Sequence, residues 1–215
     1  MYPEVMSEDA TLDAALGGTS IARFGDGEIF LMVGKSIPYN KYSDALRDEL
    51  CMIARGNQPA MVCIPNIYKS HRRAWVEQYE KYGYLFPLPR YGSQFINRPD
   101  SAPWTDNDAF RAQVRRLWRG RHVTLVYGSE TSLTPSMLGG ALSVRVVMGN
   151  KVDSYDQIDQ IEEEIGEPGG IVIMCLGPTA TCLAARLSRK DVWAVDLGMI
   201  GKFINRTQDS EPLPR

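Results

Sequence analysis

The chain has 215 residues with 44% hydrophobic and 23% charged side chains, the balance of a water-soluble globular protein with one sizeable core. Its formal net charge of −2 gives no global attraction to nucleic acid or to an anionic membrane. Two histidines, His71 and His122, exclude a multi-histidine zinc site, and no apolar run approaches the roughly 20 residues that span a bilayer.

The first stretch, "MYPEVMSEDATLDAALGG", carries acids and lacks the basic and apolar regions of a secretion signal. The four cysteines, Cys51, Cys63, Cys175 and Cys182, form no CxxC pair, and three sit in apolar runs. A reduced, cytoplasmic protein is the expectation.

Next comes "SIARFGDGEIFLMVG" (20–34), which begins as a buried strand and then sets Asp26 and Glu28 between glycines. In an extended segment residues two apart project to the same side, so the two carboxylates would converge. Such oxygens suit Mg²⁺ or Mn²⁺, which commonly take one or two carboxylates plus substrate phosphates. Gly25 and Gly27 would let a ligand approach the main chain, and Arg23 would contact a phosphate or pair with an acid. The competing reading is a turn in which Asp26 caps a helix starting near Glu28.

A helix over 43–56, a strand over 60–65 and a helix over 70–83 follow. "PNIYKSHRR" (65–73) gathers Lys69, His71, Arg72 and Arg73, with solvated charge as the default reading. Residues 84–105, rich in proline and aromatics, are expected to form an irregular but packed segment crossing the sheet edge. "RAQVRRLWRGRH" (111–122) places five arginines on a helix and its exit, read as a solvated face or else as an acceptor-docking or membrane-surface patch.

The second half alternates strands at 122–128, 143–149, 170–177 and 192–198 with helices at 155–165 and 179–190. Strands apolar at nearly every residue belong to a parallel sheet covered on both faces. The fold class expected is therefore α/β, a single Rossmann-like domain over 1–204 with a mobile tail at 205–215. Ligands bind at the carboxyl ends of such strands, which singles out the loops at Gly25, Pro65, Gly128, Gly149, Gly177 and Asp196. In "CLGPTATCLAARL" the strand ends at Gly177, Pro178 fixes the turn, and Thr179 stands at the expected helix N-cap. Backbone N–H groups there either form a phosphate site or a turn that binds nothing. Asp196 in "AVDLG" would serve as a base or a sugar-hydroxyl ligand, or would bond its local turn. Neither a Walker A loop nor GxGxxG is present.

The order "SIARFGDGE", "YDQI", "LGPTATCLAARL", "AVDLG" resembles the GT-D-type glycosyltransferases over roughly residues 19 to 201. "RFGDGE" and "LGPTA", about 150 residues apart, are together far more specific than either alone. The resemblance implies a hexosyltransferase that moves a sugar from a nucleotide-diphosphate donor, foremost a UDP-sugar, to a glycan or glycoprotein hydroxyl. It implies a divalent metal, Mn²⁺ or Mg²⁺, held with the donor diphosphate by Asp26 and Glu28. Arg23, Gly25, Gly27, Gly177, Pro178, Thr179 and Ala180 are then donor-site positions, and Asp196 is the expected acceptor base. Neither nucleic-acid binding nor stable membrane insertion is expected, and the sequence is compatible with a homo-oligomer. This chain departs from the family pattern at Met199, where a histidine is expected, and in "IGKFINR", which lacks an acidic residue. A nucleotide-sugar hydrolase, a non-catalytic nucleotide-sugar-binding module and a pure interaction protein are the alternatives.

Overall fold

The computed structural model describes residues 2–67, 73–98, 107–128 and 133–204. Within them eight strands form one sheet: β1 (Glu4–Val5), β2 (Ile21–Arg23), β3 (Met61–Ile64), β4 (Arg90–Ser93), β5 (His122–Tyr127), β6 (Ser143–Met148), β7 (Ile171–Cys175) and β8 (Ala194–Asp196). The order across the sheet is β1-β4-β3-β2-β8-β7-β5-β6, and every pairing is parallel. The helices are α1 (Glu8–Leu16), α2 (Asp26–Met32), α3 (Asp44–Ala54), α4 (Arg73–Tyr82), α5 (Asn107–Arg115), α6 (Ile158–Ile165), α7 (Pro178–Ser188) and α8 (Gly201–Ile204).

Parallel strands leave no polar face, and the alternation of β7 shows where each face goes. Val172 and Met174 join a core with α2, α3, α4, α6 and α7, while Ile171, Ile173 and Cys175 join a second core with α1, α5 and α8. The connections β2 to β3, β3 to β4, β6 to β7 and β7 to β8 step one way along the sheet and share the first face. Those from β1 to β2, β4 to β5 and β5 to β6 step the other way and pack on the second face. Opposite directions on opposite faces are what a single crossover hand requires.

The expected mainly parallel α/β fold with helices on both faces is thus present. Two local expectations are corrected. Residues 84–105 were expected to be irregular, yet Arg90–Ser93 forms β4 in the sheet interior between β1 and β3. "RYGS" lacks the apolar run of a central strand because Gly92 serves packing by having no side chain. A Cβ there would meet Cys63 Sγ at 2.5 Å and Met61 Sδ at 2.7 Å. The packing expected of this segment does hold, with Phe86, Tyr91, Phe95 and Ile96 all buried.

The second correction concerns Asp26 and Glu28, which are not extended. β2 stops at Arg23, Gly25 caps α2 with φ −109° and ψ −162°, and both acids lie in the helix's first turn. The helix-start reading is the correct one, with the residues exchanged: Gly25 is the cap, and Glu28 reaches back to its N–H. β8 is also shorter than expected, since Gly198 turns the chain at φ 48°. The group Lys69, His71 and Arg72 and the tail 205–215 lie outside the described residues, as does the Arg73 side chain.

Candidate active site

A cavity of about 440 Å³ opens at the carboxyl ends of β2, β4, β5, β6, β7 and β8. Of the loops singled out by strand polarity, those at Gly25, Gly128 and Gly177 reach its wall directly. The Gly149 loop contributes Asn150, Lys151 and Val152, and the loop after Asp196 contributes Gly198 and Met199; Pro65 is not part of the lining.

The floor is a buried ion pair. Arg23 ends β2 and Asp196 ends β8, and their neighbouring strands pair Ile21 with Val195. Arg23 Nη2 donates to Asp196 Oδ1 at 3.1 Å, Nε to the Asp196 carbonyl at 2.8 Å, and Nη1 to Gln94 Oε1 at 3.2 Å. Asp196 Oδ1 also accepts the Gly198 N–H at 2.9 Å, and Thr181 Oγ1 stands 3.5 Å from Oδ2. Burial pushes the Asp196 carboxyl up, and the Arg23 guanidinium pulls it back. Gly198 is needed at this point, because a Cβ would fall 2.0 Å from Arg23 Nη2. Arg23 therefore lines the cavity with its donors already committed, and Asp196 lies beneath the lining.

One wall is the start of α2. Asp26 is exposed and its Oδ1 accepts the Gly27 N–H at 3.0 Å, while half-buried Glu28 accepts the Gly25 N–H through Oε2 at 2.7 Å. Burial raises the Glu28 carboxyl to about 7, against the pull of the Gly25 amide; the Asp196 charge adds to the rise. Both carboxylates border the cavity. No group of three or more His, Cys, Asp or Glu side chains placed to hold a metal ion exists among the described residues. Two carboxylates, each with one oxygen held by an amide, nevertheless fit a hard cation that completes its shell with water and substrate phosphate.

The opposite motif behaves differently from its outline in the sequence. Gly177, at φ 57°, caps α7 and borders the cavity. Pro178, Thr179 and Ala180 are fully inside the protein and outside the lining. The Thr179 hydroxyl is spent on Ser154 Oγ at 2.7 Å, and the next threonine, Thr181, donates to the Arg23 carbonyl at 2.8 Å. These side chains tie α7 to the loop after β6 and to β2.

Several lining residues carry no signal in the sequence. Tyr39 and Asn40 come from the loop between α2 and α3, Gln94, Asn97 and Arg98 from the segment after β4, Lys151 from the loop after β6 and Lys202 from the short helix α8. All lie in loops or in helical turns of four residues, too short for a periodicity to mark them; only the turn-forming Pro38 hints at the first. Tyr39 lies against both motifs: a Cβ on Gly27 would stand 3.1 Å from its hydroxyl, and one on Gly177 would stand 3.3 Å from its ring. Burial and the Glu28 and Asp26 charges push its phenol up to about 12. Met199 is exposed on the lining and has no titratable group. The arginine-rich stretch is not at this mouth, since Arg116, Arg119 and Arg121 lead into β5 at the amino end of the sheet. There Arg121 stacks on Trp193 at 5.3 Å. No helix among the described residues is long and apolar enough to cross a membrane.

Residues 21–204 match the family model described as the glycosyltransferase GT-D fold. A probable glycosyl transferase of Streptococcus gordonii is 29% identical over 91% of this chain and 32% of its own length. A glycosyltransferase of Streptococcus pneumoniae is 30% identical over 92% of this chain and 27% of its own. The chain thus spans about a third of the length of the curated relatives it matches. Among solved structures, a glycosyltransferase from Streptococcus sanguinis superposes with a TM-score of 0.82 at 27% identity, covering 93% of this chain and 82% of that one. A domain of unknown function with a distinct glycosyltransferase fold gives 0.83 at 29% identity, covering 93% and 79%.

Proposed function

Since the chain belongs to the GT-D-fold glycosyltransferase family, we propose that it transfers a sugar from a nucleoside-diphosphate donor, a UDP-sugar, to a hydroxyl of a glycan or glycoprotein acceptor. The observation that carries this reading is the mixed charge of one cavity. Asp26 and Glu28 border it on one side, and Arg98, Lys151 and Lys202 reach it from three other segments. A dianionic or trianionic ligand accompanied by a cation satisfies both sets, whereas a neutral ligand satisfies neither.

In the transfer, the bond between the anomeric carbon and the diphosphate oxygen breaks with its electron pair going to the nucleoside diphosphate, the acceptor oxygen bonds the anomeric carbon, and the acceptor proton passes to solvent water. Asp26 and Glu28 would hold Mn²⁺ or Mg²⁺, which supplies Lewis-acid relief of the charge left on the diphosphate. Lys151, Lys202 and Arg98 draw the anion into the cavity, and the start of α7 at Gly177 turns the positive end of its dipole toward it. Asp196 enters as a positioning residue and not as the acceptor base, because its Oδ1 is held by Arg23 and Gly198 and it is absent from the lining. Glu28 also keeps α2 in register through Gly25.

The test is UDP release from UDP-sugars by the purified chain, with Mn²⁺ and a panel of glycan acceptors. Release is expected to require acceptor and to stop in EDTA. The double variant Asp26→Asn, Glu28→Gln is expected to lose about a hundredfold or more, the several kcal/mol that a Lewis acid contributes. Undiminished transfer by that variant in EDTA refutes the assignment. A second reading, nucleotide-sugar binding without transfer, draws on Met199 and on the withdrawal of Asp196 below the lining. It predicts metal-dependent binding with no UDP release.

A further inference from the structure

The loop between α2 and α3 is built to hold one side chain over the cavity. Ile37 and Asn40 exchange backbone hydrogen bonds at 2.9 and 3.2 Å, closing a tight turn with Pro38 and Tyr39 at its tip. Asp153, from the loop after β6, fastens that tip from across the mouth. Its N–H donates to the Tyr39 carbonyl at 3.0 Å, and its Oδ1 accepts the Lys41 N–H at 2.6 Å. Its Oδ2 stands 3.5 Å from Lys41 Nζ. Asp153 adopts φ 53°, a left-handed conformation that aspartate tolerates better than most residues.

What is held is a phenol with an uncommitted hydroxyl. The Tyr39 hydroxyl makes no hydrogen bond among the described residues, and the side chain is 45% exposed although the loop that carries it is pinned. The oxygen sits over Gly27 in the first turn of α2, and the ring edge sits over Gly177 at the cap of α7. Three cations line the same cavity, Arg98, Lys151 and Lys202. A hydrogen-bond donor between a carboxylate pair and a helix start, in a cavity that Lys151 and Lys202 also line, suits a phosphate oxygen.

We propose that Tyr39 is a donor-binding residue whose hydroxyl donates to a diphosphate oxygen, and that Asp153 is the positioning residue that holds it there. This rests on the nucleoside-diphosphate reading of the cavity and adds to it a contact from the loop between α2 and α3. The aspartate acts only through the loop: it is not part of the lining and touches Tyr39 by main chain alone.

The experiment is calorimetric titration of the full chain with UDP and with UDP-glucose, each in Mn²⁺. Tyr39→Phe keeps the ring over Gly27 and Gly177 and removes only the donor. It is expected to weaken both ligands by the same factor, roughly tenfold to a hundredfold, as for a hydrogen bond to a charged group. Its unliganded melting temperature is expected to equal that of the wild type. Asp153→Gly accepts the same backbone angle and releases Lys41. It is expected to weaken UDP in the wild-type background and to add little once Tyr39→Phe is present, since both changes remove the same contact. Equal UDP affinity in wild type and Tyr39→Phe overturns the assignment while leaving the cavity reading intact. So does a loss confined to UDP-glucose, which would move the contact to the sugar. Full additivity of the two changes overturns the role of Asp153. If the wild type binds neither ligand, the cavity reading and this assignment fall together.

Discussion

Arg23 and Asp196 meet at the ends of β2 and β8 with their polar atoms engaged on both sides, whereas Asp26 and Glu28, a few residues past β2, stand in a cavity wall with one oxygen each tied to an amide. The first pair is charge used as framework. It has taken on the desolvation cost of burial and recovered it through the guanidinium, the Gly198 amide and two carbonyls. The second pair keeps its unspent valence facing the cavity. Charged residues at the same end of the sheet are thus separated by how completely the fold satisfies them, and stability and binding should separate with them.

The comparison breaks first, and most visibly, at Arg23. Arg23→Met leaves Asp196 buried without its partner and is expected to cost about 3–5 kcal/mol in urea denaturation, which lowers the melting temperature on the order of 10 °C. Adding Asp196→Asn should return part of that loss, because the stranded charge is gone. Gly198→Ala comes next. Its Cβ would strike Arg23 Nη2 at a φ of 48°, and about 1–3 kcal/mol of destabilisation is expected by the same assay. Thr179→Val removes the hydrogen bond to Ser154 and is expected to cost about 0.5–1.5 kcal/mol, with UDP affinity unchanged in calorimetry. A large loss of affinity there would move Thr179 from framework to site. Smallest of all, Asp26→Asn with Glu28→Gln is expected to change unliganded stability by less than about 1 kcal/mol, since lost helix-dipole attraction is offset by relief of a buried carboxylate. A loss as large as that of Arg23→Met would erase the distinction between the pairs.

Much of the fold can be read from the sequence where the chain buries both faces of a strand. The runs at 122–128 and 170–177 have nothing but the interior of a parallel sheet to belong to, and both are strands there, while the run at 143–149 supplies the half-exposed edge strand β6. β4 was hidden because its packing depends on the absence of a side chain at Gly92, which no hydrophobic pattern records. α2 was half hidden: "DGEIFLM" contains the acids of a helix start, yet the glycines around them suit an extended ligand loop equally well. For the site, "RFGDGE" and "LGPTA" do lie at one cavity, but they meet it through Gly25, Asp26, Glu28 and Gly177 and not through Thr179 or Ala180. Asp196 looked like a free carboxylate at a strand end because its partner is 173 residues away, a distance over which sequence patterns are silent. Tyr39 and Lys151 are lone residues in loops and Lys202 stands in a single helical turn, and only the folded chain brings them together.

The adjacency of β2 and β8 also sets the order in which the protein comes into being. During synthesis Arg23 precedes its counter-charge by 173 residues, roughly ten seconds or more. Until then β3 can pair with β2 on one side, while the other side of β2 has no neighbour and Arg23 no anion. The cavity floor therefore cannot close before β8 has been made. On the proposed nucleotide-sugar reading, a ligand that needs this floor has nothing to stabilise until β8 has docked.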